Sequence, residues 1–231
     1  MPWHGRRVTI PKLSVTMAVC VLVPAAAACT STPASADPPG VPATVQVAFR
    51  RLDGLTVRAE TNDARYTRDA FPHWSSHGHG CDTRELVLIR EGRGRDGDGP
   101  AVETGPGCRP LKGSWWSPYD GATWTEPGDV DIDHMVPLKE AWRSGAAGWS
   151  VERRRAFAND LDVSPQLWAV TDNVNASKAD SDPAEWRPPR TEFWCRYAKA
   201  WVEVKARWEL AAQQEEVEAL REMLGTCGAD Q

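Results

Sequence analysis

The sequence predicts an α+β fold in which two short strands and a following helix are wrapped by further helices and stapled by disulfides. Three observations carry this. Residues 130–136 and 167–171 are short runs of strand character. Residues 191–227 place apolar side chains at every third or fourth position. Four cysteines remain once an N-terminal leader is set aside. The composition agrees: 41% hydrophobic and 26% charged residues over 231 positions describe an ordinary globular chain, and exclude both a disordered chain and a multi-span membrane protein.

The first 36 residues read as a processing signal. Arg6, Arg7 and Lys12 form a positive start, residues 15–28 are largely apolar but short for a bilayer, and Ala34-Ser35-Ala36 offers small residues for cleavage before Asp37. This is the pattern of a secretory signal peptide. Lipoprotein processing at Cys29 is the alternative, although the bulky aliphatic residue expected at Ala26 is missing. The mature chain is expected to carry no transmembrane segment and to be a monomer. Export favours disulfides among Cys81, Cys108, Cys195 and Cys227. Three pairings are open, and nearness along the chain favours Cys81–Cys108 and Cys195–Cys227. No pair has the CxxC spacing of a metal site.

Residues 37–54, with Pro38, Pro39, Gly40 and Pro42, read as a linker into a domain over 55–231. Residues 55–68 fit a first helix or strand. ELVLIR at 85–90 reads as a strand, and the Gly-, Arg- and Asp-rich stretch 92–107 as a loop. Its Asp96-Gly97-Asp98-Gly99 resembles part of a calcium loop, but the closing acid is absent and a solvated turn suffices. Alternation over 130–136 suits a strand. Residues 138–143 suit a short helix ended by Ser144-Gly145, and Ser150 suits the cap of a helix over 151–159. Residues 167–171 form the second strand, with a helix starting near 173–175. Phe193, Tyr197, Trp201, Val204 and Trp208, then Val217, Leu220 and Leu224, mark C-terminal helices that stop at Gly225.

The histidines divide into two groups. His73, His77 and His79 form a Gly-flanked tract, which is either a metal site or simply solvated. His134 stands apart, in Asp131-Ile132-Asp133-His134 at the end of a strand, with Asn175 and Lys178 three apart on the following helical turn. Hydrolysis of a phosphodiester needs these residue types. A neutral His takes a proton from water near pH 7, oxygen ligands from Asp and Asn hold a divalent cation with open positions, and a Lys faces the phosphate.

DIDHMVPLKEAWRSGA at 131–146 followed by NASKAD at 175–180 resembles the HNH endonuclease superfamily, with its ββα-metal fold. More narrowly, the chain is similar to secreted actinobacterial HNH-type proteins. The resemblance includes Cys81-Asp82-Thr83-Arg84, Gly113-Ser114-Trp115, Pro118-Tyr119, Phe157-Ala158-Asn159-Asp160 and Pro183-Ala184-Glu185-Trp186 and covers residues 66–227. It implies a ββα-metal core over about 109–190 followed by C-terminal helices over 191–227. It makes His134 the general base, Asp133 and Asn175 the metal ligands, and Lys178 a basic partner of the catalytic group. Asp131 supports the loop or reaches the metal through water. The Asn that braces the loop in such proteins is replaced by Gln166, so Asn159 is the alternative brace; Arg84 and Glu140 have supporting or salt-bridge roles.

The expected activity is therefore low-specificity hydrolysis of nucleic acid, DNA first and RNA as the alternative, by a secreted endonuclease using Mg²⁺, or Mn²⁺ or Ca²⁺. An inactive relative is one alternative. Another is a carbohydrate- or cell-wall-binding module, suggested by twelve Trp against four Phe and three Tyr. The net charge of −5 points away from a nucleic-acid partner. Removing the leader takes away three basic residues and no acids, leaving 24 against 32 and a net of −8. A bound cation would offset that deficit at the phosphate.

Overall fold

The computed structural model describes residues 2, 43–61, 63–162 and 165–228. The expected cleavage site, Cys29 and residues 37–42 lie outside the described residues. No helix among the described residues is long and apolar enough to cross a membrane.

Where a linker was expected, residues 43–53 form a helix, α1 (Ala43–Asp53). The prolines that suggested a linker stop at Pro42. Val45, Ala48 and Leu52 then recur at helical spacing and are buried. They seat α1 on two C-terminal helices, α6 (Trp194–Trp208) and α7 (Gln214–Leu224), so the packed body begins before residue 55. The described residues of 55–68 form neither an α-helix nor a strand: the segment bridges Val57 to Ala212 and then makes single turns at Asp63–Arg65 and Arg68–Ala70.

The second correction is at ELVLIR, which lies in a helix, α2 (Thr83–Glu91). Its aliphatic run resembles a strand, but the ends decide. The Asp82 side chain accepts the Glu85 N–H while the Glu85 side chain accepts the Asp82 N–H, a reciprocal cap that satisfies two otherwise orphaned donors. Val87 and Leu88 then turn inward and are fully buried.

Among the described residues the strands form four two-stranded antiparallel pairs. Three are minimal hairpins, β1 (Ser76–Gly78) with β2 (Cys81–Asp82), β3 (Glu103–Thr104) with β4 (Pro110–Lys112) and β5 (Trp115–Trp116) with β6 (Thr123–Trp124), and the fourth frames the site. Strand β7 (Val130–His134) pairs with β8 (Leu167–Thr171) in unbroken register, with Asp133 opposite Trp168 and His134 opposite Leu167. Helix α5 (Asp172–Lys178) follows β8 without a loop and packs against both strands, which completes a ββα unit. Helices α3 (Leu138–Arg143) and α4 (Val151–Ala158) lie between the two strands in sequence, and Ser150 caps α4 by accepting the Arg153 N–H.

Both disulfides favoured by nearness are formed. Cys81–Cys108 ties the start of α2 to the loop before residue 110, and Cys195–Cys227 ties the start of α6 to the end of α7. The aromatic residues gather inside: Tyr119, Tyr197, Trp201, Phe193 and Phe157 are buried in one large core. Among the eleven described Trp none is exposed, so they form no flat aromatic platform for a glycan.

Candidate active site at the end of the paired strands

Alternation along β7 sends Asp131 and Asp133 to one face and His134 to the other. At the end of the strand the faces converge on a cavity of about 360 Å³, lined among others by Tyr66, Arg68, Asp133, His134, Lys139 and Asn175.

Asp133 is 5% exposed. Its Oδ2 accepts from the Tyr119 hydroxyl at 2.5 Å and from Lys178 Nζ at 2.5 Å. Lys178 is wholly buried; it also donates to the carbonyls of His134 and Met135 at 2.9 Å each, and it lies within 6 Å of the Tyr119, Tyr197 and Trp201 rings. This corrects the expectation that Lys178 faces a phosphate. Residues three apart on a helix differ by about 60° in direction, and on the seven-residue α5 that rotation carries Lys178 into the core while Asn175 stays at the cavity. Burial pushes the Asp133 carboxyl up and the Lys178 ammonium down, and each opposes the other's shift. Burial and the Asp133 charge hold the Tyr119 hydroxyl well above its ordinary range, so it remains a donor.

His134 is equally enclosed. Its Nε2 lies 2.9 Å from the Ala158 carbonyl and therefore carries the proton, which leaves the Nδ1 lone pair free. The Trp74 ring stacks on the imidazole, with centroids 5.6 Å apart and planes 27° apart. Burial pushes the imidazole down to about 3, and the charges of Arg68, His73 and Lys178 act the same way, so the ring is neutral at pH 7.

Asn175 donates from Nδ2 to Asp131 Oδ2 at 3.2 Å. That bond turns the amide and leaves its oxygen for the cavity. Asp133 Oδ1 likewise takes no hydrogen bond from the described residues. Asp133 and Asn175 both line the cavity, and a carboxylate with an amide oxygen is a hard donor set that suits a cation retaining water and phosphate ligands. No group of three or more His, Cys, Asp or Glu that could hold a metal occurs among the described residues, the His73–His79 tract and the Asp96–Asp98 turn included. His73 and His77 instead pair with the Phe71 carbonyl and the Thr83 hydroxyl.

The brace is Asn159. Its Oδ1 accepts from the Ser75 N–H at 2.8 Å and the Thr83 hydroxyl at 2.7 Å, and its Nδ2 donates to the carbonyls of Pro72 and Arg155 at 2.8 Å. It thereby pins the segment that carries Trp74. Gln166 contributes its main-chain carbonyl to the Met135 N–H, while its buried amide finds no partner among the described residues. Arg84 lies outside the cavity and holds the carbonyls of Pro127 and Val130. Glu140 belongs to a buried network with Lys205, Ser144 and Arg143. Tyr119, Trp74 and Arg68 are the contributors that motif reading did not single out as site residues, although Tyr119 stood within a quoted motif.

Comparison with known proteins agrees with this frame. Residues 110–223 match the family described as GmrSD restriction endonucleases, C-terminal domain. A protein of the fungus Arthroderma benhamiae named "Uncharacterized secreted protein" is 47% identical over 216 residues, which is 93% of this chain and 98% of that protein. This relative is fungal, so the narrower resemblance to actinobacterial proteins gains no support from it. No solved structure gives a significant match.

Proposed function

From a chain that belongs to the family of the GmrSD restriction endonuclease C-terminal domain, we propose that the molecule is an exported, metal-dependent endonuclease that hydrolyses phosphodiester bonds with low sequence specificity. The observation that carries the reading is the convergence of His134, Asp133 and Asn175 on one cavity. The Ala158 carbonyl fixes the His134 tautomer, so Nδ1 is the atom that takes the proton from the attacking water. Burial keeps the ring neutral, the form that can accept that proton.

Asp133 and Asn175 would hold a divalent cation, for which Mg²⁺ is the best fit and Mn²⁺ or Ca²⁺ are workable. Bound there, it supplies positive charge to the scissile phosphate and the departing oxygen. Lys178 and Tyr119 position Asp133, and Asp131 positions Asn175. DNA is the proposed substrate, with RNA as the alternative. The resemblance to HNH nucleases implies 5′-phosphate products. Export rests on the leader pattern and on the secreted relative. Plasmid cleavage tests the activity: the wild type cuts with Mg²⁺, stops with a chelator and resumes when Mg²⁺ is restored. Cleavage indifferent to the chelator would contradict metal dependence.

A further inference from the structure

An acidic protein that grips a polyanion needs a local source of positive charge. Most basic groups around the cavity are already committed. Lys178 is buried against Asp133. Lys139 lies 2.9 Å from Asp180 and 3.4 Å from Asp63. Arg143 lies among Glu60, Glu140 and Asp180. Arg68 differs from these. It is exposed and lines the cavity with His134 and Asn175, and its guanidinium has no acidic or hydrogen-bonding partner among the described residues.

Its backbone is nevertheless held firmly. The Arg68 carbonyl accepts the Phe71 N–H at 3.0 Å, Phe71 is fully buried, and Arg154 Nε donates to the Ala70 carbonyl at 2.7 Å. Tyr66, two residues earlier, packs against Phe71 and Trp142. The segment thus presents a free guanidinium on a rigid base at the mouth of the cavity. The fork of a guanidinium matches two oxygens of a phosphate.

We propose that Arg68 binds the phosphodiester backbone of the substrate at this cavity, contacting non-bridging phosphate oxygens. The proposal rests on the reading of the cavity as a phosphodiester site. Its contact is with backbone and not with base edges, so it contributes grip without sequence preference.

The test is fluorescence anisotropy with a labelled DNA duplex in chelator, using protein that carries His134→Ala so that bound DNA is not consumed. Adding Arg68→Ala is expected to weaken binding about tenfold at low salt and to reduce the log–log salt slope by about 0.9, the value of one phosphate contact. Arg68→Lys is expected to retain the slope and recover part of the affinity. Lys112→Ala, which removes an exposed charge outside the cavity, is expected to change neither. Equal binding with and without Arg68, or no binding by the parent, overturns the proposal. Plasmid cleavage by the wild type separates the two readings. Arg68-dependent binding without cleavage keeps the phosphate site and sinks the nuclease. Cleavage with Arg68-independent binding does the reverse.

Discussion

Asp133 sits at the junction of two demands. Oδ2 closes a buried ion pair with Lys178, while the residue also lines the cavity. A buried pair broken on one side leaves an uncompensated charge, so Lys178→Met is expected to cost about 3–5 kcal/mol in urea unfolding. A loss below about 1 kcal/mol would mean that Lys178 does not anchor Asp133. The grouping of the acid–His pair with Asn175, which line one cavity, was expected from residue type and motif order. The inward turn of Lys178 was not: within seven residues of α5, local pattern does not say which side of a charged residue meets the core. Tyr119 was hidden for a similar reason, since it lies in a turn and its partner is fourteen residues away on strand β7.

At the scale of elements, local signals sufficed wherever they were complete. Strands β7 and β8, the capped helix α4 and the periodic helices α6 and α7 all follow from sequence pattern. Helix α2 did not, because a short aliphatic run suits either element and the deciding cap lies at Asp82 and Glu85. The segment carrying Trp74 was illegible because its anchor, Asn159, is 84 residues from Ser75. Asn159→Ala leaves the Ser75 N–H and the Pro72 carbonyl without that partner. Each group left unsatisfied costs about 1–3 kcal/mol. Hydrogen exchange at residues 72–76 should therefore accelerate, and Trp74 should leave His134. Unchanged protection there would show that the segment is held by something else.

For the molecule as a whole, charge and pH are linked through buried carboxyls. Burial and the neighbouring Glu140 push Glu60 up to about 8, and burial pushes Glu216 up to about 7. A carboxyl with a raised folded pKa binds its proton more tightly in the native state. Its stabilising contribution is present below about 4.5, the ordinary value, and is lost as pH rises through about 8. The melting temperature should fall between about pH 4.5 and 8, and Glu60→Gln, which cannot ionise, should flatten that fall. Equal slopes would contradict the assignment. The net charge of −5 first suggested no nucleic-acid partner, yet Glu140 and Glu216 are buried in ion pairs with Lys205 outside the cavity, while Arg68 stands at it.

The central claim is that His134 is the base of a phosphodiester-hydrolysing site. The most direct measurement is the single-turnover rate of plasmid cleavage with Mg²⁺, comparing wild type with His134→Ala. Loss of a general base predicts a rate lower by about 10²–10⁴-fold with the fold intact. Equal rates for the two proteins would contradict the account.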